Sequence, residues 1–312
     1  MKILITGCAG YIGSMLSTRL VTKHPNSQIV GVDNLMFGQQ SLGHLAKYDN
    51  FEFIKMDVGD FNSVFNLLKT KGSFDFIFPL AALVGTGLCN TNKALAKEIN
   101  YLHIHNLLTR QPNAHIIYPN TNSGYGIGGE NFCTEESPLN PISVYGKTKC
   151  EAEDCLLESG NHTIFRLATV FGASYRFRQD LLVNDFVARA YKDSFIVLFE
   201  ANFRRNYISV DDVVNAFEYA MDKNRLAPGV YNLGLSEANL TKMELCLKIK
   251  RQVPEFVIKT DEFAKDPDKR DYIISNDKVE KAGFIPQINL ETGIKELIHF
   301  YKMLPRKEFT NV

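Results

Sequence analysis

Short runs of β-branched and aliphatic residues alternate with amphipathic segments of helical length through the first half of the chain. The runs lie at 2–6, 28–32, 51–56, 74–80, 115–119 and 163–170, and helices are predicted near 12–23, 62–71, 92–110 and 145–159. Parallel strands need long crossover connections and are buried on both faces of their sheet. The alternation therefore predicts an α/β domain built on a doubly wound parallel sheet.

The second half of the chain follows a looser pattern. Helices are predicted at 181–192, 211–222, 241–250 and 290–303, with short strand-like pieces such as FIVLF and GVYNLG between them. Open α/β sheets bind ligands in the crevice at their strand ends. We therefore expect residues 1–172 to form the cofactor-binding domain, with segments near 205–234 returning to it, and 173–312 to form mainly a smaller mixed α/β lobe that binds the substrate.

Three glycines mark the junction of the first strand and the first helix. The segment ITGCAGYIGSML places Gly7, Gly10 and Gly13 at the spacing of a Rossmann-type dinucleotide-binding turn. Gly7 permits the tight turn, Gly10 allows a pyrophosphate close to the backbone, and Gly13 allows close packing of helix and strand. The amides of Tyr11 and Ile12 should then face the phosphates. The alternative is that the glycines only end a strand.

An acidic residue at the end of the second strand separates these readings. Asp33 follows Gly13 by 20 residues, the distance of about 20 expected for the carboxylate that binds the adenosine ribose. Such a carboxylate accepts hydrogen bonds from ribose hydroxyls and repels a 2′-phosphate. The sequence therefore predicts NAD, rather than NADP, as the cofactor.

The segment PISVYGKTK contains Tyr145 and Lys149, four residues apart. On a helix both side chains lie on one face. An ammonium near a phenol stabilises the phenolate and lowers its pKa, which favours a general base. Taken alone, the pair is typical of an ordinary helix surface; after a dinucleotide-binding turn, it indicates oxidoreductase chemistry.

Composition and charge exclude several classes of function. Lys plus Arg and Asp plus Glu both number 35, so no global field favours a nucleic acid. The six cysteines form no CxxC pair, no apolar run reaches the length of a membrane span, and no signal peptide begins the chain. We expect a cytoplasmic protein with no membrane partner. His103 and His105 do not share a helix face, and we predict no metal.

Taken in order, the motifs resemble the extended short-chain dehydrogenase/reductase family, and within it the nucleotide-sugar epimerases, dehydratases and dehydrogenases. They are TGCAGYIG, DNL at 33–35, DV at 57–58, LAALVG at 80–85, NTNSGYG at 120–126, YGKTK at 145–149 and RRNYISVDDV at 204–213. The resemblance implies a cofactor site that also includes Asn34, Asp57, Val58, Leu80, Ala81 and Ala82 and is supported by Asn100. It implies a catalytic set of Thr121, Tyr145 and Lys149, in which Tyr145 and Lys149 also bind the cofactor.

The same resemblance implies how the substrate is held. Arg205 matches the family's diphosphate-binding arginine, and Arg270 corresponds to a second one, although its spacing from Asp271 departs from the usual arrangement. The planar fork of arginine meets phosphate oxygens bidentately. Asn184 is a further candidate for the substrate pocket. The family also suggests a homodimer or higher homo-oligomer through 92–110 and 145–159.

Departures from the family pattern narrow the reaction. The 4,6-dehydratases that the chain resembles have an acid and a carboxylate base directly after the catalytic Thr, where this chain has Asn122 and Ser123. Neither side chain can exchange protons in that way, so dehydration is not expected, and both are assigned to substrate binding. Thr169 replaces an asparagine that contacts phosphate in many epimerases.

Segments LAALVG, NTNSGYGIG and DPDKRDY look most like the GDP-manno-heptose 4-dehydrogenases of bacterial capsule biosynthesis. That resemblance implies oxidation of the C4 hydroxyl of GDP-D-glycero-α-D-manno-heptose, with a 2-oxo acid left open as the co-substrate that reoxidises NADH. A 4-epimerase remains the main alternative. A protein that binds NAD as a sensor or scaffold without turnover is a further one, although such a protein has no use for Thr121, Tyr145 and Lys149 together.

Overall fold

A computed structural model of the chain describes residues 1–129, 131–261 and 270–304. From the N-terminus its elements are β1 (Lys2–Thr6), α1 (Tyr11–Lys23), β2 (Gln28–Asp33), β3 (Phe51–Lys55), α2 (Phe61–Lys71), β4 (Phe76–Pro79), α3 (Thr86–Thr91), α4 (Lys93–Lys97), α5 (His103–Arg110), β5 (His115–Thr121) and α6 (Val144–Ser159). A π-helical turn over Glu98–Leu102 joins α4 to α5, and short 3₁₀ turns lie at Gly43–Leu45 and Asn122–Tyr125.

The second half continues with further strands and helices. They are β6 (His162–Leu167), β7 (Thr169–Phe171), α7 (Leu182–Lys192), β8 (Phe195–Phe199), β9 (Arg204–Ser209), α8 (Val210–Tyr219), β10 (Gly229–Leu233), β11 (Asn239–Thr241), α9 (Lys242–Lys250), β12 (Val257–Asp261), α10 (Asp277–Lys281) and α11 (Leu290–Met303). Within the described ranges no helix combines the length and the apolar character that a membrane crossing requires.

The described residues form a seven-stranded parallel sheet in the order β10-β6-β5-β4-β1-β2-β3. The direction of strand addition reverses between β1 and β4, which creates the crevice where such sheets bind ligands. Alternate side chains of β1 enter opposite cores: Ile3 and Ile5 belong to one apolar cluster and Leu4 to another. Both faces of the sheet are therefore covered, and the predicted Rossmann-type fold is confirmed.

The C-terminal half divides between the central sheet and a separate core. β10 extends the central sheet beside β6, and α8 packs against α1. By contrast, β9 pairs with β7 and β11 in a three-stranded sheet, and β8 pairs with β12. A third apolar cluster unites α7, α9 and α11, with Val183, Leu245 and Ile294 at its centre.

Two predicted elements are interrupted, and tertiary contacts explain both breaks. The helix expected over 92–110 contains the π-helical turn where the Asn100 side chain bonds with the backbone of Leu83. The strand expected over 163–170 divides because the amide of Ala168 donates to Leu233 O of β10, while β7 turns away to pair with β9. The helices α3 and α10 and the strands β11 and β12 had no expected counterpart.

Candidate active site

A cavity of about 620 Å³ follows the carboxyl ends of β1 to β6 and reaches the segment between β7 and α7. It contains the glycine turn, the end of β2 and the first turn of α6. Of the sequence-predicted residues, those that line it are Gly7, Gly10, Tyr11, Ile12, Gly13, Asp33, Asn34, Asp57, Val58, Leu80, Ala81, Ala82, Thr121, Tyr145, Lys149 and Arg270. One continuous space therefore joins most of the predicted cofactor residues to the predicted catalytic set.

The glycine turn is a close-packed corner. Gly7 has φ +71° and donates its amide to Val32 O at 2.7 Å; a Cβ on it would lie 2.5 Å from the amide of Ala81. A Cβ on Gly13 would lie 2.0 Å from Gly7 O, so α1 can approach β1 this closely only with glycine there. The sequence reading of these two positions matches the geometry.

The N-terminus of α1 opens onto the cavity. Gly10 is the N-cap residue, and no side chain caps the helix. The first amides of a helix have no intrahelical acceptor, and they concentrate the positive end of its dipole. The amides of Tyr11 and Ile12 therefore offer donors for a pyrophosphate. Glycine at the cap leaves room for it, which fits a bound dinucleotide.

Asp33 lies at the end of β2 in a network of donors. Its carboxylate accepts the amide of Ala9 at 3.0 Å, the amide of Leu35 at 2.8 Å and Gln39 Nε2 at 3.1 Å. Burial raises the pKa of Asp33, whereas the amides of Leu35 and Ala9 and the charge of Arg176 lower it. The carboxylate is thus held in a fixed position at the cavity wall.

The rest of the predicted cofactor wall comes from β3 and β4. Asn34 Nδ2 donates to Asp57 Oδ2 at 2.9 Å, and the buried Val58 follows Asp57 in the cavity wall. The amide of Leu80 donates to Thr6 O at 2.9 Å and fixes the segment that continues through Ala82.

Asn100 supports this segment from behind and does not line the cavity. Its side chain accepts the amide of Leu83 at 2.8 Å and donates to Leu83 O and Thr148 Oγ1, each at 3.1 Å. The amide is almost fully buried, so all of its polar atoms are used within the protein. The family resemblance implied that Asn100 belongs to the cofactor site and supports it. In the structure Asn100 orients the loop after β4 and α6 and does not itself line the cavity.

The predicted catalytic residues converge at the other end of the cavity. Ser143 caps α6 by accepting the amide of Gly146 at 3.0 Å, and this fixes the turn that carries Tyr145. Lys149 follows one turn later and is only 3% exposed; its Nζ lies 3.8 Å from the centroid of the Tyr118 ring. Thr121, at the end of β5, faces the same space.

Burial governs the protonation of this set. It raises the pKa of Tyr145 to about 12, and Arg270 and Arg178 offset only part of that rise. It lowers the pKa of Lys149 to about 7. The expected lowering of the Tyr145 pKa is therefore wrong for this structure, because loss of hydration outweighs the nearby positive charge.

Asn122 and Ser123 lie behind Thr121 and do not line the cavity. Ser123 Oγ is 2.9 Å from Thr121 Oγ1, and its amide donates to the same oxygen at 3.1 Å. Asn122 is 1% exposed, and neither amide atom of its side chain has a partner within the described residues. The sequence predicted that both side chains contact the substrate. The structure does not support this prediction, because the 3₁₀ turn folds both side chains inward.

Two further substrate candidates also occupy structural positions. Asn184 is fully buried, accepts the amide of Gly172 at 3.0 Å and donates to Arg178 O at 2.9 Å. Arg205 is 3% exposed; its Nη1 donates to Arg204 O, and its guanidinium lies 5.7 Å from the centroid of the Tyr272 ring. Neither lines the cavity. Asn184 shapes the loop after β7, and Arg205 packs beneath Tyr272, because burial removes both from the ligand space.

Arg270 does line the cavity, beside Tyr272. The first four residues of its motif DPDKRDY, at 266–269, lie outside the described residues. Thr169, at the start of β7, also lines the cavity, as its place in the family pattern led us to expect.

Sequence reasoning missed a charged group in the segment between β7 and α7 and in the first turn of α7. Arg176, Arg178, Asp180 and Asp185 all line the cavity. Arg178 and Asp180 form an ion pair, with Arg178 Nε 3.2 Å from Asp180 Oδ1. The signal was available in the segment SYRFRQD, because it lies soon after the predicted strand 163–170, and the carboxyl ends of strands in an open α/β sheet border the ligand crevice.

A buried ion pair was also missed, behind Thr121. Asn120 precedes Thr121, and its amide donates to Glu153, which pairs with Arg166. Arg166 also donates to Tyr125 Oη at 2.8 Å. The network links α6 to β5 and β6 beneath the catalytic residues and fixes the backbone that carries Thr121.

Comparison with known proteins accords with this site. The family model "NAD dependent epimerase/dehydratase family" matches residues 3–234. The human dTDP-D-glucose 4,6-dehydratase is 26% identical over 321 residues, covering 96% of this chain and 90% of that protein. A trifunctional UDP-glucose 4,6-dehydratase, 3,5-epimerase and reductase of Arabidopsis thaliana is 28% identical over 97% of this chain, which spans 47% of the plant protein.

A solved structure with the same architecture is the UDP-glucose 4-epimerase of Thermotoga maritima with UDP-glucose. Its TM-score is 0.82 at 23% identity, with 97% of this chain and 99% of that one covered, so the likeness concerns the fold. The family match extends from β1 through β10 and includes the glycine turn, Asp33, Tyr145 and Lys149. The chain belongs to the NAD-dependent epimerase/dehydratase family of the short-chain dehydrogenase/reductase superfamily and is an NAD-dependent enzyme.

Proposed function

We propose that the enzyme oxidises the C4 hydroxyl of a nucleotide-linked sugar and yields the 4-keto sugar. The observation that carries the proposal is the continuity of one cavity from the helix N-terminus at Gly10 to Thr121, Tyr145 and Lys149. A dinucleotide bound along the turn and Asp33 would extend toward the catalytic residues. NAD, when bound, supplies the acceptor for the hydride that leaves the sugar carbon.

Tyr145 is proposed as the base that removes the hydroxyl proton. Its phenol must first lose its own proton, and burial opposes this, as its pKa of about 12 indicates. Arg270 and Arg178 act in the opposite direction. Lys149, with a pKa near 7, can be charged or neutral at physiological pH, so a small change in its surroundings decides whether it supports the phenolate.

Thr121 is proposed to hold the reacting hydroxyl. Its Oγ1 already accepts the Ser123 amide and lies within hydrogen-bond distance of Ser123 Oγ. The hydroxyl of Ser123 can donate to Thr121, which leaves the Thr121 proton free to point toward the substrate. Ser123 is thus a positioning residue in this proposal, and Asn122 completes the buried turn.

The diphosphate and sugar of the substrate are proposed to contact two arginines, Arg178 in the segment after β7 and Arg270. Arg178 and Arg270 line the cavity and both act electrostatically on Tyr145. Guanidinium groups match phosphate oxygens in geometry and charge. These two residues replace Arg205 and Asn184 as the proposed substrate contacts.

Elimination of water is not part of the proposal. After oxidation at C4, loss of the C6 hydroxyl needs a base for the C5 proton and an acid for the leaving oxygen. Asn122 and Ser123 occupy the expected places, are buried, and have no carboxyl group. We therefore propose that the ketone persists. We also propose that the substrate is GDP-D-glycero-α-D-manno-heptose and that a 2-oxo acid is the acceptor that restores NAD. The heptose assignment rests on the sequence resemblance alone.

A 4-epimerase is the second candidate. Epimerisation does not need the acid and base pair that elimination needs, because hydride only returns to the other face of the ketone. The absence of such a pair at Asn122 and Ser123 is therefore compatible with an epimerase as well. The fold shared with the Thermotoga maritima UDP-glucose 4-epimerase favours keeping it. The two candidates differ in whether the ketone leaves the cavity before it is reduced.

Purified protein incubated with NAD and GDP-, UDP-, dTDP- or ADP-linked sugars tests the proposal. Following NADH absorbance, with and without a 2-oxo acid, should reveal one nucleotide class that supports reduction of NAD. An NAD-binding protein that reduces no NAD and converts none of these sugars would contradict the proposal.

A further inference from the structure

The segment between β7 and α7, residues 172–181, crosses the cofactor end of the cavity. Ser174 Oγ donates to Tyr11 O at 2.6 Å and lies 3.2 Å from Ser14 Oγ. Tyr11 Oη donates back to Gly172 O at 2.8 Å. These bonds fasten the segment, which we name the β7–α7 crossing, to the first turn of α1, where the cofactor amides lie.

From that anchor the crossing reaches the loop after β2. Tyr175 stacks on His44, with ring centroids 4.3 Å apart and planes inclined by 20°. The guanidinium of Arg176 lies 5.4 Å from the centroid of the Phe37 ring. Two ring contacts thus tie the crossing to the segment that directly follows Asp33.

The Arg176 contact connects with Asp33 through short links. The amide of Phe37 donates to Gln39 Oε1, and Gln39 Nε2 donates to Asp33 Oδ1, each at 3.1 Å. Arg176 and Asp33 line the same cavity. A guanidinium from the β7–α7 crossing therefore lines the same cavity as the Asp33 carboxylate, which is expected to bind the adenosine ribose of NAD.

We propose that Arg176 is a latent recognition residue for a 2′-phosphate and that the charge of Asp33 keeps it from acting as one. Guanidinium groups bind phosphate dianions strongly, so this cation alone would favour NADP. The carboxylate, fixed by Ala9 and Leu35, repels the same phosphate. Burial and the charge of Arg178 lower the pKa of Arg176, and Asp180 and Asp33 act in the opposite direction. At Asp33, burial raises the pKa and Arg176 is among the groups that lower it. Cofactor choice then depends on the balance of two opposite charges that line the same cavity.

Binding of NADH and NADPH to four proteins tests the proposal without reference to turnover. They are the parent, Asp33→Asn, Asp33→Asn/Arg176→Gln and Asp33→Asn/Arg178→Gln, each titrated by nicotinamide fluorescence. Asp33→Asn removes the charge and keeps a side-chain oxygen. We expect its affinity for NADPH relative to NADH to rise about tenfold or more, and added salt to reduce the gain. Arg176→Gln should remove most of the gain, and Arg178→Gln should retain it.

Three results would overturn the proposal. They are no gain of NADPH affinity in Asp33→Asn, a gain that survives Arg176→Gln, and a gain that Arg178→Gln abolishes equally. Asp33→Ser, measured in the same backgrounds, replaces Asp33→Asn if the latter melts at a lower temperature than the parent or loses NADH binding.

Discussion

The two ends of the cavity are built in different ways. The cofactor end is formed mainly by β1 to β4 and the turns that follow them, within the first 85 residues, and the part of the β7–α7 crossing that carries Arg176 joins it from a distance in sequence. The substrate end combines four distant segments: the end of β5, the first turn of α6, the β7–α7 crossing and the neighbourhood of Arg270. A site made from consecutive βα units leaves its record in local sequence spacing, whereas a site made from distant loops does not.

The largest expected effect comes from Tyr145→Phe at the substrate end. Loss of a general base reduces turnover by about 100-fold or more. The ring still fills its place on α6, so NADH binding and the melting temperature should stay close to those of the parent. Steady-state rates, read beside an NADH titration, check this. Turnover near the parent value would remove Tyr145 from the mechanism.

Gly13→Ala tests the cofactor end in the same manner. The new Cβ would lie 2.0 Å from Gly7 O, so α1 must move away from β1. Overpacking of this kind costs about 2 kcal/mol, and we expect the free energy of unfolding to fall by that amount, with weaker NADH binding. Urea unfolding and fluorescence titration measure both.

Gly43→Ala is the matched control, because nothing lies within 4 Å of a Cβ built at that position. We expect its stability and NADH affinity to match those of the parent. If the two alanine variants behaved alike, close packing at Gly13 would not explain the cofactor turn.

Lys149→Met tests the substrate end through the pH dependence of the free energy of unfolding. The folded pKa of about 7 is below the usual 10.5, so between these values the unfolded chain binds more protons and stability rises with pH. Methionine removes that dependence, and at pH 7 we expect the variant to be more stable by about 2 kcal/mol, although its activity falls. Urea unfolding across this pH window checks the slope. An unchanged slope would contradict the burial of an uncharged lysine.

The smallest expected effect is the shift in pH dependence caused by Arg178→Gln, which is separate from the weaker substrate binding expected from loss of its proposed diphosphate contact. Arg178 lowers the pKa of Tyr145, so the neutral variant should move the acid limb of the kcat/KM profile toward higher pH. Arg225→Gln serves as the control, because that guanidinium stacks on Tyr219 at a distance of 4.2 Å and does not line the cavity. A limb that stays in place for Arg178→Gln would separate this residue from the chemistry of Tyr145.

These contrasts explain how much of the fold could be predicted. Hydrophobic runs located the strands β1 to β6, because strands inside a parallel sheet are buried on both faces and leave a continuous apolar signal. The edge strand β3 is only partly buried, and its apolar residues Phe51, Phe53 and Ile54 were sufficient to locate it. The breaks within 92–110 and 163–170 depend on Leu83 and Leu233, which are distant in sequence from the residues that they contact. No local periodicity contains that information.

The same reasoning applies to the site. Gly7, Gly13 and Asp33 were identifiable because dinucleotide binding requires their spacing. The positions of Arg178 and Asp180 depend on the path of the β7–α7 crossing, which is fixed by Asn184 and Ser174. Asn184 was predicted to line the substrate pocket. A polar side chain on an amphipathic helix can serve either a binding site or structural support, and the sequence does not distinguish these two roles.

The most direct test of the central claim is the mass of the product formed from a sugar nucleotide and NAD in deuterated water, with GDP-manno-heptose and a 2-oxo acid as the first substrates. The claim is that Thr121, Tyr145 and Lys149 promote oxidation of the sugar by NAD, while Asn122 and Ser123 provide no acid and base for elimination of water. We expect a product that is lighter by two hydrogens and retains all of its oxygens. It should carry no deuterium at C5, the carbon that loses its proton in elimination. An unchanged mass with inverted C4 would establish the epimerase, and a product that has lost water would contradict the account.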